Sequence, residues 1–151
     1  MTKQGSQDAR RPASPAHGKE IHARCGFCCS SCAAYKENAR TDEDRKKVSD
    51  RWQKLYGLAI PPSAMCCDGC LEPDENHPHR IGTDCPLRTC VLKKEIAHCG
   101  ECGSFPCDLI EKHMASVETA VPRAREIMTA DEFHRFVDPY LCREFLIAGK
   151  R

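Results

Sequence analysis

Cysteine dominates the chemistry open to this chain: thirteen thiols fall within 151 residues, most of them in short knuckles. They read Cys25-Gly26-Phe27-Cys28-Cys29-Ser30-Ser31-Cys32, Cys66-Cys67-Asp68-Gly69-Cys70, Cys85-Pro86-Leu87-Arg88-Thr89-Cys90 and Cys99-Gly100-Glu101-Cys102-Gly103-Ser104-Phe105-Pro106-Cys107, with Cys142 alone. Two thiolates separated by two residues can grip one metal ion from a single turn, so several such pairs in a short domain point to metal binding. The odd count and the adjacent pairs Cys28-Cys29 and Cys66-Cys67 fit a disulfide framework poorly.

Spacing ranks the thiols. Cys29, Cys32, Cys67, Cys70, Cys99 and Cys102 sit in paired spacing and lead as ligands, followed by Cys25, Cys85, Cys90 and Cys107. Cys28 and Cys66 are neighbours of stronger candidates, and Cys142 falls on an apolar helix face, where a small buried residue is the simpler reading. His77, His79 and His98 read as loop residues before they read as ligands, given so many thiolates nearby. Cys29, Cys32, Cys67 and Cys70 can complete one four-thiolate site. Cys85, Cys90, Cys99, Cys102 and Cys107 make a second cluster of five, one more than a tetrahedral shell holds. Either one is spare or a further metal draws on Cys25, Cys28, His77, His79 or His98. About two metal ions per chain is the expectation, with three the upper case.

The elements between the knuckles must bring these thiols together. Thr41 can cap a helix beginning at Asp42, with acids clustered at its positive end; Val48, Trp52, Leu55 and Tyr56 then share a face, and Gly57 can close it. Such a helix spans on the order of 22 Å, whereas the residues from Leu58 to Cys66 can stretch to about 30 Å, so the chain can return to its starting end. From Leu58 to Asp84, Pro61-Pro62, Asp68-Gly69, Glu72-Pro73 and His77-Pro78-His79 break regular structure, and metal ligands would keep that stretch ordered.

Pro86 to Ile96 predicts a short helix, with Leu87, Val91 and Leu92 on one face. Leu109, Ile110, His113, Met114 and Val117 predict an amphipathic helix with Pro106 near its first turn, His113 packing or capping rather than binding metal. Thr129 and Glu132 offer a capping box before Phe133, Phe136 and Val137, and a last helix is expected from Asp138-Pro139 to Gly149. No sustained alternation marks a strand. The expected fold is mostly α: a small irregular cysteine-rich domain over 20–149, its helices linked by metal-binding loops, with little or no β structure. The metal-site region is about 24–110 and the C-terminal helices are about 106–149. Residues 1–19, polar and rich in Pro and Ser, predict a disordered tail.

Composition narrows the classes. The 40% hydrophobic content is inflated by cysteine, and one tryptophan, three tyrosines and five phenylalanines allow a modest core, so metal crosslinks should supply part of the stability. No apolar run approaches the roughly 18 residues of a membrane helix, and the polar start is unlike a secretory signal, so a cytoplasmic setting is expected. A formal net charge of +1 gives no field that would draw in nucleic acid, which is therefore unsupported as a partner.

With these pieces assembled, the chain resembles a cysteine-rich family known as domain of unknown function 3795. The resemblance rests on Cys25-Gly26 with Cys29, Cys32 and Tyr35; on Trp52 with Tyr56-Gly57; on Cys67-Asp68-Gly69-Cys70-Leu71; on Cys85, Leu87-Arg88 and Cys90; and on Cys99, Cys102 and Phe105-Pro106-Cys107, over approximately residues 24–110. It implies a metal-binding protein, zinc being the usual suggestion, with no settled activity. Many members place a further cysteine shortly before the Cys85 motif, where this chain has Gly82-Thr83-Asp84, a departure that counts against a third site.

Two functions compete. A zinc-stabilised interaction module without catalysis suits the thiolates, the reducing compartment and the lack of any phosphate loop, nucleophile elbow or His-Glu-x-x-His helix. An iron-sulfur protein for electron transfer or redox chemistry is the alternative, since Cys25, Cys29 and Cys32 have the spacing of radical enzymes, and Cys99, Cys102 and Cys107 with a remote cysteine could hold a ferredoxin-like cluster. Thiol-disulfide exchange at Cys25-Gly26-Phe27-Cys28 or Cys99-Gly100-Glu101-Cys102 lacks the strand-helix-strand context it would need.

Overall fold

The computed structural model describes residues 20–82 and 84–149; the tail expected over 1–19 lies outside them. Thr41 nucleates the longest helix as its sequence demands. Its Oγ1 accepts from the Asp44 amide at 3.0 Å while its own amide donates to Asp44 Oδ2 at 3.0 Å, a reciprocal box that satisfies two orphan donors. Helix α1 (Asp42–Tyr56) closes at Gly57, whose φ of 70° is the left-handed geometry in which glycine is at no disadvantage. Val48, Trp52 and Leu55 are its buried face.

The remaining helices are short: α2 (Pro86–Lys93), α3 (Asp108–Glu118), α4 (Val121–Ile127), α5 (Ala130–Phe136) and α6 (Arg143–Ala148). α5 starts on the expected capping box, Thr129 Oγ1 accepting from the Glu132 amide at 3.2 Å. Among the described residues β structure is confined to isolated bridges, His22 with Cys28 and Tyr35 with Cys67, so the fold is mostly α with irregular cysteine loops. No described helix is long and apolar enough to cross a membrane.

The sequence expectations shift in three places. Pro106 follows a cis bond from Phe105 and lies ahead of Cys107, the N-cap of α3, rather than in that helix's first turn. Leu109 is exposed while Ile110, Met114 and Val117 carry the buried stripe of α3. The expected last helix is broken: a 3-10 turn at Asp138–Tyr140 gives way to non-helical Leu141 and Cys142 before α6 begins. The Pro139 carbonyl accepts from the Cys28 amide at 2.8 Å, an acceptor that an unbroken helix would use internally, and Tyr140 is thereby turned into the core.

Two apolar clusters result. One joins α1 to α5 through Trp52, Met65, Phe136 and Tyr140. The other packs Leu87, Val91, Ile110, Met114 and Leu146 around Cys25, Cys29, Cys99 and Cys142, and Phe27 touches both clusters. Most of the enclosed thiols therefore line the second core, while Cys32 packs against the first.

Candidate metal centres

Two of the three paired knuckles adopt one local structure. Cys29–Ser31 and Cys99–Glu101 are 3-10 turns, and in each the closing cysteine donates its amide to the carbonyl of the first, at 3.0 Å for Cys32 to Cys29 and 3.1 Å for Cys102 to Cys99. A second regularity is an amide two residues downstream aimed at sulfur. The Ser104 amide donates to Cys102 Sγ and the Gly69 amide to Cys67 Sγ, both at 3.4 Å. Donors of this kind stabilise a sulfur that carries negative charge. Gly69 makes its turn at a φ of 96°, and a Cβ there would press on the Tyr35 ring at 3.2 Å.

The Tyr35–Cys67 bridge brings the first two knuckles together. The Cys67 amide donates to the Ala34 carbonyl and the Lys36 amide to the Cys67 carbonyl, each at 2.8 Å. Cys29, Cys32, Cys67 and Cys70 thus share one electrostatic neighbourhood. Burial pushes Cys29 up to about 12. It pushes Cys32 to about 11, opposed by the Tyr140 hydroxyl 3.1 Å from its sulfur and by nearby amides. Cys25 and Cys85 both adjoin Cys70, burial raising Cys25 and Cys70. Cys85, grouped by spacing with the later cysteines, meets the Cys25 and Cys70 side instead.

Arg80, absent from the sequence reasoning, clamps this loop. Its guanidinium is buried and donates to the Gly69 carbonyl at 3.1 Å, to Asp74 at 3.0 Å and to the Glu72 carbonyl. The Arg80 guanidinium, with Arg88 beside it, holds the Asp74 carboxyl below its usual range. His79 is a strut as well: its amide donates to Asp68 at 2.8 Å and its Nδ1 pairs with the Cys66 carbonyl at 2.7 Å. A buried arginine in a Pro-rich loop leaves no periodic trace in sequence, which is why it went unread.

The second neighbourhood holds Cys90, Cys99, Cys102 and Cys107. Cys90 lies on α2, Cys99 and Cys102 on the 3-10 turn, and Cys107 caps α3. Burial pushes Cys99 up to about 12, reinforced by Cys107, Cys90 and Cys102. Cys102 moves the other way, held below its usual value by the Ser104 amide and by Lys94, whose Nζ is 3.2 Å from the sulfur. His98 caps the turn, its Nδ1 accepting from the Gly100 amide at 3.1 Å.

Every cysteine is a free thiol. Cys142 is buried, its Sγ 3.4 Å from the Cys25 carbonyl, as the core reading requires. Cys28 departs from its neighbour Cys29 and joins Glu20 and His22, the donor atoms of the three lying within 4.8 Å of one another. No three of the ten leading thiols reach that mutual distance among the described residues.

The donor set suits a soft or borderline metal: sulfurs gathered in two neighbourhoods, the first more buried than the second, with an amide aimed at one sulfur in each. No curated protein and no solved structure matches the chain. The family described as "Protein of unknown function (DUF3795)" matches residues 21–112, which is more than half of the 151 residues and takes in all ten leading thiols while leaving α4, α5 and α6 outside; the chain belongs to that family.

Proposed function

We propose that the protein binds zinc in structural thiolate sites and works as a non-catalytic interaction module in the cytoplasm, where its thiols stay reduced. One zinc is held by Cys29, Cys32, Cys67 and Cys70, with Cys25 and Cys85 alongside. Cys90, Cys99, Cys102 and Cys107 hold a second. The observation that carries this reading is the aim of a downstream amide at sulfur in each of the two neighbourhoods, at Cys67 in the first and at Cys102 in the second. A neutral thiol gains little from such a donor, whereas a metal-bound thiolate gains a charge-assisted bond. Four thiolates also close a tetrahedral shell, leaving no position for a substrate, which is the signature of a structural site.

Metal analysis of protein purified without oxygen, read with its visible spectrum, tests the proposal. Colourless protein with about two zinc ions per chain is expected. Brown protein containing iron and acid-labile sulfide would overturn zinc in favour of an iron-sulfur cluster.

A further inference from the structure

Glu20, His22 and Cys28 stand apart from the ten thiols discussed above, and backbone geometry gathers them. Glu20 and His22 are two residues apart, their side chains meet at 3.1 Å, and the antiparallel bridge sets Cys28 directly opposite His22. The His22 ring is fixed by stacking on Phe145, with centroids 3.8 Å apart and planes within 8°.

Both nitrogens of that ring face acceptors, one more than a neutral imidazole can serve. Nδ1 is 3.3 Å from the Gly26 carbonyl and Nε2 is 3.1 Å from Glu20 Oε1. Both partners are acceptors, and a neutral imidazole has one N–H to offer. With Nδ1–H given to Gly26, the Nε2 lone pair faces a carboxylate oxygen; a second ring proton would make this an ion pair, and a metal ion between the two would in addition engage the Cys28 sulfur, which lies within 4.8 Å of both. A metal-bound histidine characteristically anchors its other nitrogen on a backbone carbonyl in this way. A separation of 3.1 Å also approaches the edge of a tetrahedron built on nitrogen and oxygen ligands about 2.0–2.2 Å from zinc.

We propose that Glu20, His22 and Cys28 form a distinct divalent-metal site, suited to zinc, with an open coordination position. The three ligands use nitrogen, oxygen and sulfur, the mixed set and ligand number of sites that keep a place for water or a small oxygen-donor anion. That place opens into a cleft of about 360 Å³, also lined by His134, Asp138 and Phe145. His134 Nδ1 is paired with the Asp138 carboxylate, which orients an imidazole within the same cleft. The site uses none of the ligands assigned to the closed thiolate centres and stands or falls separately from them.

Cobalt(II) added to the full chain, after the tight sites are filled with zinc and loosely held metal is stripped with a mild chelator, provides the probe. Wild type should take up about one further ion with visible ligand-field bands, and azide should shift those bands by entering the open position. His22→Phe keeps a ring on Phe145 and Cys28→Ala removes the sulfur; both should abolish the uptake. Glu20→Gln should weaken it by about tenfold or more, although glutamine can still hydrogen-bond His22. Unchanged cobalt affinity in Glu20→Gln, or uptake persisting in His22→Phe, would overturn the site, and bands indifferent to azide would overturn the open position.

Discussion

The Cys29–Cys32 and Cys99–Cys102 turns have the same backbone hydrogen bond and opposite surroundings. Cys32 points its sulfur at the hydroxyl of fully enclosed Tyr140, 3.1 Å away, and burial lifts it to about 11. Cys102 points its sulfur at the ammonium of Lys94, 3.2 Å away, and lies below the ordinary thiol value. The companions differ in the same sense: Cys90 and Cys107 are exposed, whereas Cys25 and Cys29 are buried. Two residues between cysteines therefore set the geometry of the turn and leave open whether its sulfurs are inert core or reactive surface. The first neighbourhood is built into the fold; the second borders water.

Ligand removal should expose that difference most strongly. Cys67→Ser strips a sulfur from the loop that Arg80 clamps beneath the core, and is expected to lose metal together with about 4–5 kcal/mol of stability and much helicity. Cys102→Ser should lose metal too, with a smaller fall in helicity. Denaturant unfolding followed by circular dichroism, with metal analysis on the same samples, decides the matter. Equal destabilisation by the two variants would break the contrast, and unchanged stoichiometry in either would remove its sulfur from the ligand set.

Phe136→Ala is the matching cut in the apolar cluster. Phe136 is fully buried between α5 and α1, so truncation should cost about 3–5 kcal/mol. Metal content should stay unchanged, since no sulfur is touched. If metal is lost along with stability, the thiolate centres depend on the apolar core and the two are one cooperative unit.

The capped elements were readable because their signals are local. Thr41 with Asp44, and Thr129 with Glu132, announce helix starts within a few residues, and Val48, Trp52 and Leu55 show which face turns inward. Reach alone allowed Cys67 and Cys70 to return to Cys29 and Cys32, and the Tyr35–Cys67 bridge is how they do so. What stayed hidden depends on distant partners. Pro139 gives its carbonyl to Cys28, which breaks the last helix; α4 buries little beyond Ala124 and so has no periodic face to read; and His22 meets Cys28 through one isolated bridge. Spacing alone groups Cys85 with Cys90, five residues on, whereas in space Cys85 adjoins Cys25 and Cys70.

In metal-free, reduced protein the contrast becomes a rate. Iodoacetamide attacks thiolates, so at pH 8 Cys102 should be modified at least about tenfold faster than Cys32, as read by peptide mass mapping against time. Comparable rates would mean that the first neighbourhood opens to solvent once its metal is gone, and that its burial is a property of the loaded state.

Lys94→Met sharpens the same comparison with the smallest expected effect. The Ser104 amide is the larger reason that Cys102 ionises early, and Lys94 is the second. Removing the ammonium leaves the amide in place. The pH profile of Cys102 alkylation should therefore move toward alkali, slowing the reaction a few-fold at pH 7, while the profile of Cys32 stays where it is. The sign follows from the charges: a cation beside sulfur favours thiolate over thiol, so its loss raises the pH at which half the thiol has ionised. A profile unmoved by Lys94→Met would assign the low value of Cys102 to the turn itself. The Cys29–Cys32 turn, which has the same backbone, would then owe its inert sulfur to burial alone.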